Sequence, residues 1–99
     1  MGAVSTPQLA AAVAVEGGLG MIAAAGLGPE DVLAQLRAAA DIAGSDTRIG
    51  VNFLVPFLDL RAFEAAASHA PVVECFYGDP DSGLVIRAHD LGALVAWQV

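Results

Sequence analysis

Short apolar runs alternate along the chain with longer segments whose apolar residues recur at helical spacing. The runs occupy residues 20–24, 49–55, 72–78 and 93–99, and the last three are rich in Val, Ile, Leu and Phe. They are continuous rather than strictly alternating, which is typical of strands covered on both faces. The order helix, strand, helix, strand with short links predicts an α/β fold with a parallel sheet, since parallel strands need crossover helices.

Capping residues place the four helices. The first begins after Ser5 or Thr6, with Pro7 in its first turn and Gln8 completing a capping box with Ser5; the others begin at Pro29, after Asp59, and after Asp81 or Ser82. Glycine marks the end of most of them, at Gly17 and Gly18, at Gly44 and at Gly92. Within the second helix, apolar residues recur at helical spacing, namely Val32, Leu33, Leu36, Ala40, Ile42 and Ala43.

The glycines of the stretch EGGLGMIAAAG, residues 16–26, follow a helix and open a strand. A phosphate-binding glycine loop has the opposite direction, because it follows a strand and opens a helix whose N-terminus faces the phosphate. We therefore expect a left-handed helix cap at Gly17 or Gly18 and close backbone packing at Gly20.

Charge and cysteine content exclude several functional classes. A formal net charge of -7 with only 4 basic residues argues against nucleic acid and anionic membranes as partners. No apolar stretch is long enough to span a membrane, and the basic region of a signal peptide is missing. The single cysteine, Cys75, forms no internal disulfide and indicates a reducing, cytoplasmic location.

In parallel α/β folds the site lies where strands end and helices begin. The positions that meet this condition are residues 1–6, 23–26, 52–56, 77–81 and Gln98. Asn52 is the most informative, because its carboxamide lies among apolar residues and must find buried hydrogen-bond partners, either neighbouring backbone or a ligand. Gln98 invites the same argument.

Other polar residues are candidates with simpler explanations. Glu74 lies within an apolar strand, where it is either a catalytic acid or part of a hydrogen-bonded barrel interior. His69 and His89 fall in or at the end of helices, away from the strand ends, which favours structural roles. The segment DPDSG, residues 79–83, resembles a calcium loop but lacks the remaining ligands, so a turn and helix cap is the better interpretation. No catalytic residue and no metal site is predicted in the chain.

The chain resembles the N-terminal part of the nitronate monooxygenase family, formerly called 2-nitropropane dioxygenases. The matching strings are MGAVSTPQLAAAVAVEGGLGMIAAAG, IGVNFLVP, VVECFYGDP and ALVAWQV, in the family's order over essentially the whole length. The first string is the most specific. The resemblance implies a TIM barrel, so the expected fold is a partial (β/α) barrel of about four βα units with parallel strands.

The resemblance also implies a flavin cofactor, FMN, across the C-terminal face of the barrel, and oxidation of an alkyl nitronate by molecular oxygen. Met1 and Gly2 match the family's loop beside the flavin, Asn52 matches the asparagine of its Gly-Val-Asn motif, and Gln98 matches the glutamine that ends a strand. These four are the predicted cofactor contacts. The family's catalytic histidine and its FMN phosphate loops correspond to positions after residue 99.

Residues 1–99 are accordingly expected to form a single domain, the N-terminal fragment of an FMN-binding barrel. Such a chain has exposed strand edges, and self-association through them is expected. Three alternatives stay open: a related FMN-dependent enoyl reductase, a half-barrel interaction module without catalytic activity, and a truncated product with no function of its own.

Overall fold

A computed structural model of the protein describes residues 6–44 and 48–99. Within them the helices are α1 Pro7–Val15, α2 Pro29–Ala43, α3 Leu60–His69 and α4 Ser82–Asp90. The strands are β1 Gly20–Ala23, β2 Ile49–Leu54, β3 Val72–Phe76 and β4 Leu94–Trp97, and a short 3-10 helix, Val55–Phe57, follows β2. All four predicted helix-strand units are present, with strands one to three residues shorter than the apolar runs.

The helix starts follow the capping chemistry of the sequence. Thr6 Oγ1 accepts the Leu9 amide at 3.2 Å, and the carboxylates of Asp59 and Asp81 each accept two amides in the first turns of α3 and α4. Satisfying these otherwise free amides fixes where each helix begins. Gln8 lies only two residues after the Thr6 cap, one short of capping-box spacing; Ser5 lies outside the described residues.

The strands form one parallel sheet in the order β1-β2-β3-β4. Each strand therefore pairs with its sequence neighbour, as in a barrel, whereas a doubly wound sheet reverses its order partway. The helices pack side by side in the same sequence, α1 on α2, α2 on α3 and α3 on α4.

The core lies between the helices and one face of the sheet, here called the outer face. Alternate strand residues Ile22, Val51, Phe53, Val73 and Cys75 supply this face, and each is at most 1% exposed. The Phe53 ring contacts the Phe63 ring of α3 at a centroid distance of 5.4 Å. The remaining strand residues, alternating with these, form the inner face, which corresponds to the interior of a barrel.

Two glycines near α1 have the predicted roles. Gly17 has φ of 90°, the left-handed conformation of a helix cap. A Cβ at Gly20 would lie 2.0 Å from the carbonyl oxygen of Ala10, so α1 crosses the start of β1 in backbone contact. One helix prediction differs from the structure: Ile42 is 54% exposed, because the buried stripe of α2 runs through Val32, Leu36 and Ala39.

Candidate functional site

The carboxyl ends of the four strands meet along one rim of the sheet. Because all pairings are parallel, the segments that follow the strands, residues 24–28, 55–59, 77–81 and 98–99, start from the same edge. The Ala24 amide donates to the Asn52 carbonyl at 2.8 Å, and the Gln98 amide donates to the Cys75 carbonyl at 2.9 Å. Hydrogen bonding between strands thus continues up to the rim both between β1 and β2 and between β3 and β4.

Asn52 lies on the inner face of β2, close to this rim. Its side chain is 5% exposed, and it is flanked in register by Ala23 on β1 and Glu74 on β3. Its Nδ2 donates to Glu74 Oε1 at 2.7 Å. The predicted need for a buried partner is therefore met by a side chain, and the carboxylate fixes which end of the carboxamide faces β3.

Glu74 is half-buried on the inner face, where its carboxylate accepts the hydrogen bond from Asn52. Of the two interpretations that the sequence left open, the geometry corresponds to the hydrogen-bonded barrel interior. A charged acceptor strengthens such a bond, so the pair holds the middle of the inner face in one arrangement.

Gln98 lies at the end of β4, one residue beyond the last strand residue, and its side chain is exposed. Ala96 pairs in register with Glu74 and therefore lies on the inner face. Gln98 comes two residues after Ala96, so it lies on the same face, together with Asn52. Two strand spacings, about 10 Å, separate β2 from β4 across the sheet. Gln98 and Val99 line an open cleft of about 450 Å³ whose other wall is formed by residues 76–80.

The loop of residues 77–81 supplies most of that wall, through residues 77–80, and is fixed from both sides. The Trp97 indole Nε1 donates to the Gly78 carbonyl at 2.7 Å, and a Cβ at Gly78 would lie 2.8 Å from Val55 Cγ1. Tyr77 has φ of 63°, which is rare for a bulky side chain, and its ring stacks on Phe76 at a centroid distance of 4.0 Å. The loop thus presents an aromatic surface in a strained, anchored backbone conformation.

The sequence placed Tyr77 near the site but did not indicate its left-handed backbone conformation. It also did not indicate that Trp97 anchors the loop. A left-handed φ at tyrosine leaves no pattern in the sequence beyond the following glycine. The Trp97 indole reaches Gly78 across 19 positions of the chain, so only the strand pairing brings them together.

The segments that follow the strands carry no Lys or Arg, but they do carry Asp59, Asp79 and Asp81. A phosphate would find no basic side chain here. Carboxamides and aromatic rings are instead suited to a neutral, planar, hydrogen-bonding group. The rim therefore fits the ring of a flavin and does not fit its phosphate.

The remaining candidates lie elsewhere or outside the described residues. His69 is exposed at the end of α3, with Nδ1 2.9 Å from the Ala65 carbonyl, and His89 is exposed on α4; both are away from the rim, as expected. Burial on the outer face, reinforced by the charge of Glu74, raises the pKa of the Cys75 thiol to about 11. Met1 and Gly2, the other two predicted cofactor contacts, lie outside the described residues.

Metal clusters and membrane-spanning helices are both absent from the described part of the chain. Within residues 6–44 and 48–99, no group of three or more His, Cys, Asp and Glu side chains is arranged to hold a metal ion. None of the helices in the same ranges has the length and apolarity that crossing a bilayer requires.

Comparison with known proteins gives one family model and several solved structures, among them two structures of FabK. The family model described as nitronate monooxygenase matches residues 1–98. A FabK point mutant from Thermotoga maritima superposes with a TM-score of 0.87 and 28% identity, over 100% of this chain and 33% of that chain. FabK from the same organism gives 0.86 and 26%, over 100% and 32%. No curated protein matches the sequence.

The chain thus spans about a third of the length of the solved structures that it matches. Its four parallel units correspond to part of a TIM barrel, which confirms the predicted fold class.

Proposed function

The chain belongs to the nitronate monooxygenase family, and we propose that it supplies part of the flavin site of an FMN-dependent oxidoreductase. The observation that carries the proposal is the placement of two carboxamides, Asn52 and Gln98, on the inner face at the carboxyl ends of parallel strands. Barrel enzymes bind their substrates and cofactors at that end.

Asn52 and Gln98 are the residues that would hold the flavin ring in this chain. A carboxamide both donates and accepts, so it suits the alternating donors and acceptors along the edge of a flavin. Glu74 takes one Nδ2 hydrogen of Asn52 and so orients that carboxamide. Met1 and Gly2 are included in the same proposal, because by resemblance they match the family's loop beside the flavin.

The proposed reaction is oxidation of an alkyl nitronate by molecular oxygen, in which bound FMN supplies the electron-transfer chemistry. The protein's part here is to orient the ring, because neither His69 nor His89 lies at the rim to move a proton. In this proposal residues 1–99 are the N-terminal part of an FMN-binding barrel, and the catalytic base and phosphate contacts belong to a later part. The buried free thiol of Cys75 supports a cytoplasmic, reducing location.

An FMN titration followed by flavin fluorescence tests the cofactor assignment. We expect the 99-residue chain to quench the flavin, and Gln98→Ala to raise the dissociation constant about 2- to 10-fold, the worth of one hydrogen bond. Gln35→Ala, on α2 and away from the rim, is the matched control. A folded chain that leaves flavin emission unchanged, or equal effects of both substitutions, would overturn the assignment.

A second candidate is an FMN-dependent enoyl reductase, which the match to FabK over the whole of this chain favours. The two activities consume different co-substrates. FMN-loaded protein that takes up oxygen with an alkyl nitronate supports the first candidate, whereas oxidation of a nicotinamide cofactor driven by an enoyl thioester supports the second.

A further inference from the structure

Tyr77, the first residue after β3, has a backbone conformation that tyrosine rarely adopts. Its φ is 63°, and within residues 6–44 and 48–99 it is the one non-glycine residue with a positive φ. The other residues there with positive φ are glycines, which reach this region without a steric penalty. A tyrosine in this conformation costs free energy, and such strain persists only where the surrounding structure fixes the backbone.

Contacts from two neighbouring strands fix the backbone directly after Tyr77. Trp97, at the end of β4, donates its indole Nε1 hydrogen to the Gly78 carbonyl at 2.7 Å. On the other side, Gly78 lies against Val55, which follows β2, so closely that an added Cβ would be 2.8 Å from Cγ1 and 2.9 Å from Cβ of that valine. The peptide after Tyr77 is thus held between the ends of β2 and β4.

The left-handed conformation changes the direction of the Tyr77 side chain. Successive side chains of a strand point to opposite faces, so continued strand geometry would place Phe76 on the inner face and Tyr77 on the outer face. Instead the two rings stack, with a centroid distance of 4.0 Å and an interplanar angle of 27°. The turn of the backbone between them therefore keeps the Tyr77 ring beside Phe76 at the rim.

The stacked rings form one wall of the cleft that Gln98 lines on its other side. Phe76 covers one face of the Tyr77 ring, and the Tyr77 side chain is exposed, so its second face is accessible to a ligand. A flat aromatic group prefers to pack on another ring in an offset stack. Gln98 is proposed to bond the edge of a flavin ring, and Tyr77 is the exposed aromatic side chain that shares the cleft with it.

We propose that Tyr77 is a specificity-determining residue of the flavin site, whose ring packs on the flat face of the flavin and so selects a planar, uncharged ring system. Trp97 is a positioning residue in this arrangement, because it acts through Gly78 on the backbone of Tyr77. The inference rests on the proposed function, and it adds a contact to the face of the ring to the carboxamides that bond its edge. The strain at Tyr77 is then the cost of turning its ring toward the ligand.

Equilibrium dialysis of the 99-residue chain against FMN and against lumiflavin, which has the ring but no phosphate, tests the contact. Tyr77→Gly should raise the dissociation constant for both flavins about 3- to 10-fold, the range of one lost aromatic stack. Glycine takes the observed φ freely, so this variant should keep the loop conformation. Tyr77→Phe keeps the stack and should restore wild-type binding. An effect on FMN alone, or none on either flavin, would overturn the proposal.

Trp97 provides a measurement that needs no variant. It is the only tryptophan of the chain, so its indole N–H gives a single proton resonance. That proton lies in the hydrogen bond to Gly78, next to Tyr77, and the ring current of a flavin stacked on Tyr77 should shift its resonance as FMN is added. A resonance that stays in place while dialysis shows FMN binding would contradict the assigned contact.

A double-mutant cycle tests the positioning role. Trp97→Phe removes the indole donor and should weaken flavin binding in the wild-type background but not further in Tyr77→Gly, because it acts through Tyr77. Equal weakening in both backgrounds would refute this role. Ile42→Ala, which removes an exposed apolar side chain near the opposite end of α2, is the control and should change nothing.

The same measurements separate this inference from the proposed function. A folded wild-type chain that binds neither flavin would end both. Weaker binding in Gln98→Ala together with unchanged binding in Tyr77→Gly would leave the flavin site standing and would count only against the role of Tyr77.

Discussion

Replacement of Gly20 by alanine tests whether α1 and β1 are in backbone contact. The added Cβ would lie 2.0 Å from the Ala10 carbonyl oxygen and 2.8 Å from its carbon, and real Cβ contacts stay above 3.0 Å. The obstacle is main chain, so no rotamer change relieves it. Gly20 itself is held by the hydrogen bond that its amide donates to the Arg48 carbonyl and by its pairing with Ile49.

Helix α1 must therefore move by about 1 Å, and a gap of that size forfeits a quarter to a half of the dispersion energy of its contacts. The alanines of its buried face, Ala10, Ala11 and Ala14, lose packing against the sheet. Overpacking of a rigid site costs up to about 3 kcal/mol or somewhat more. Alanine also lowers the conformational entropy of the unfolded chain, which stabilises the folded state by about 0.4–1 kcal/mol. We expect a net loss of about 2–2.5 kcal/mol, a large part of the about 5–15 kcal/mol typical of a domain.

Urea unfolding followed by circular dichroism measures this loss. With an m-value of about 1.5 kcal/mol/M, the midpoint should fall by about 1.3–1.7 M. Gly28→Ala is the matched control, because Gly28 has φ of -81° and a Cβ added there would meet no atom within 4 Å, so its effect should stay within about 0.5 kcal/mol.

Adding Ala10→Gly to Gly20→Ala should recover nothing, since the clash is with the carbonyl of residue 10 and not with its side chain. A midpoint equal to that of the control, or recovery in the double variant, would show that α1 and β1 are not in the described contact.

Three further predictions concern the site, the core and a helix cap. Glu74→Ala leaves the buried Asn52 Nδ2 without its acceptor and should cost about 1.5–3 kcal/mol in urea unfolding, whereas Glu74→Gln keeps an acceptor and should cost less; equal costs would refute the bond. Folding raises the pKa of Cys75 from 9.0 to about 11, so the thiol ionises more readily in the unfolded chain. The free energy of unfolding therefore keeps its full value below pH 9 and falls by about 2–3 kcal/mol as pH rises through 11. A Cys75→Ala variant should lack this decline, and its persistence there would assign it to another group. Asp59→Ala removes the cap of α3 and should cost about 1 kcal/mol, a fall of about 4–8 °C in Tm; an unchanged Tm would show that the cap contributes nothing.

The secondary structure was determined largely by local sequence. Asp59 and Asp81 start their helices because a carboxylate next to free amides satisfies them wherever the rest of the chain lies. Gly17 and Gly44 end theirs because both adopt positive φ, which glycine allows at no steric cost. Alternation of such helices with apolar runs was enough to predict parallel strands, since the crossover connection permits little else.

The candidate site depended on contacts between residues far apart in the chain. Sequence position identified Asn52 and Gln98 as rim residues, but the partner of Asn52 is Glu74, 22 positions away, and only the β2–β3 register makes them neighbours. A shift of one residue would have put Glu74 on the outer face. The anchoring of Gly78 by Trp97 is likewise a consequence of packing. Local chemistry decided which residues form helices and strands, and tertiary structure decided which side chains meet, because register and packing are properties of pairs of segments.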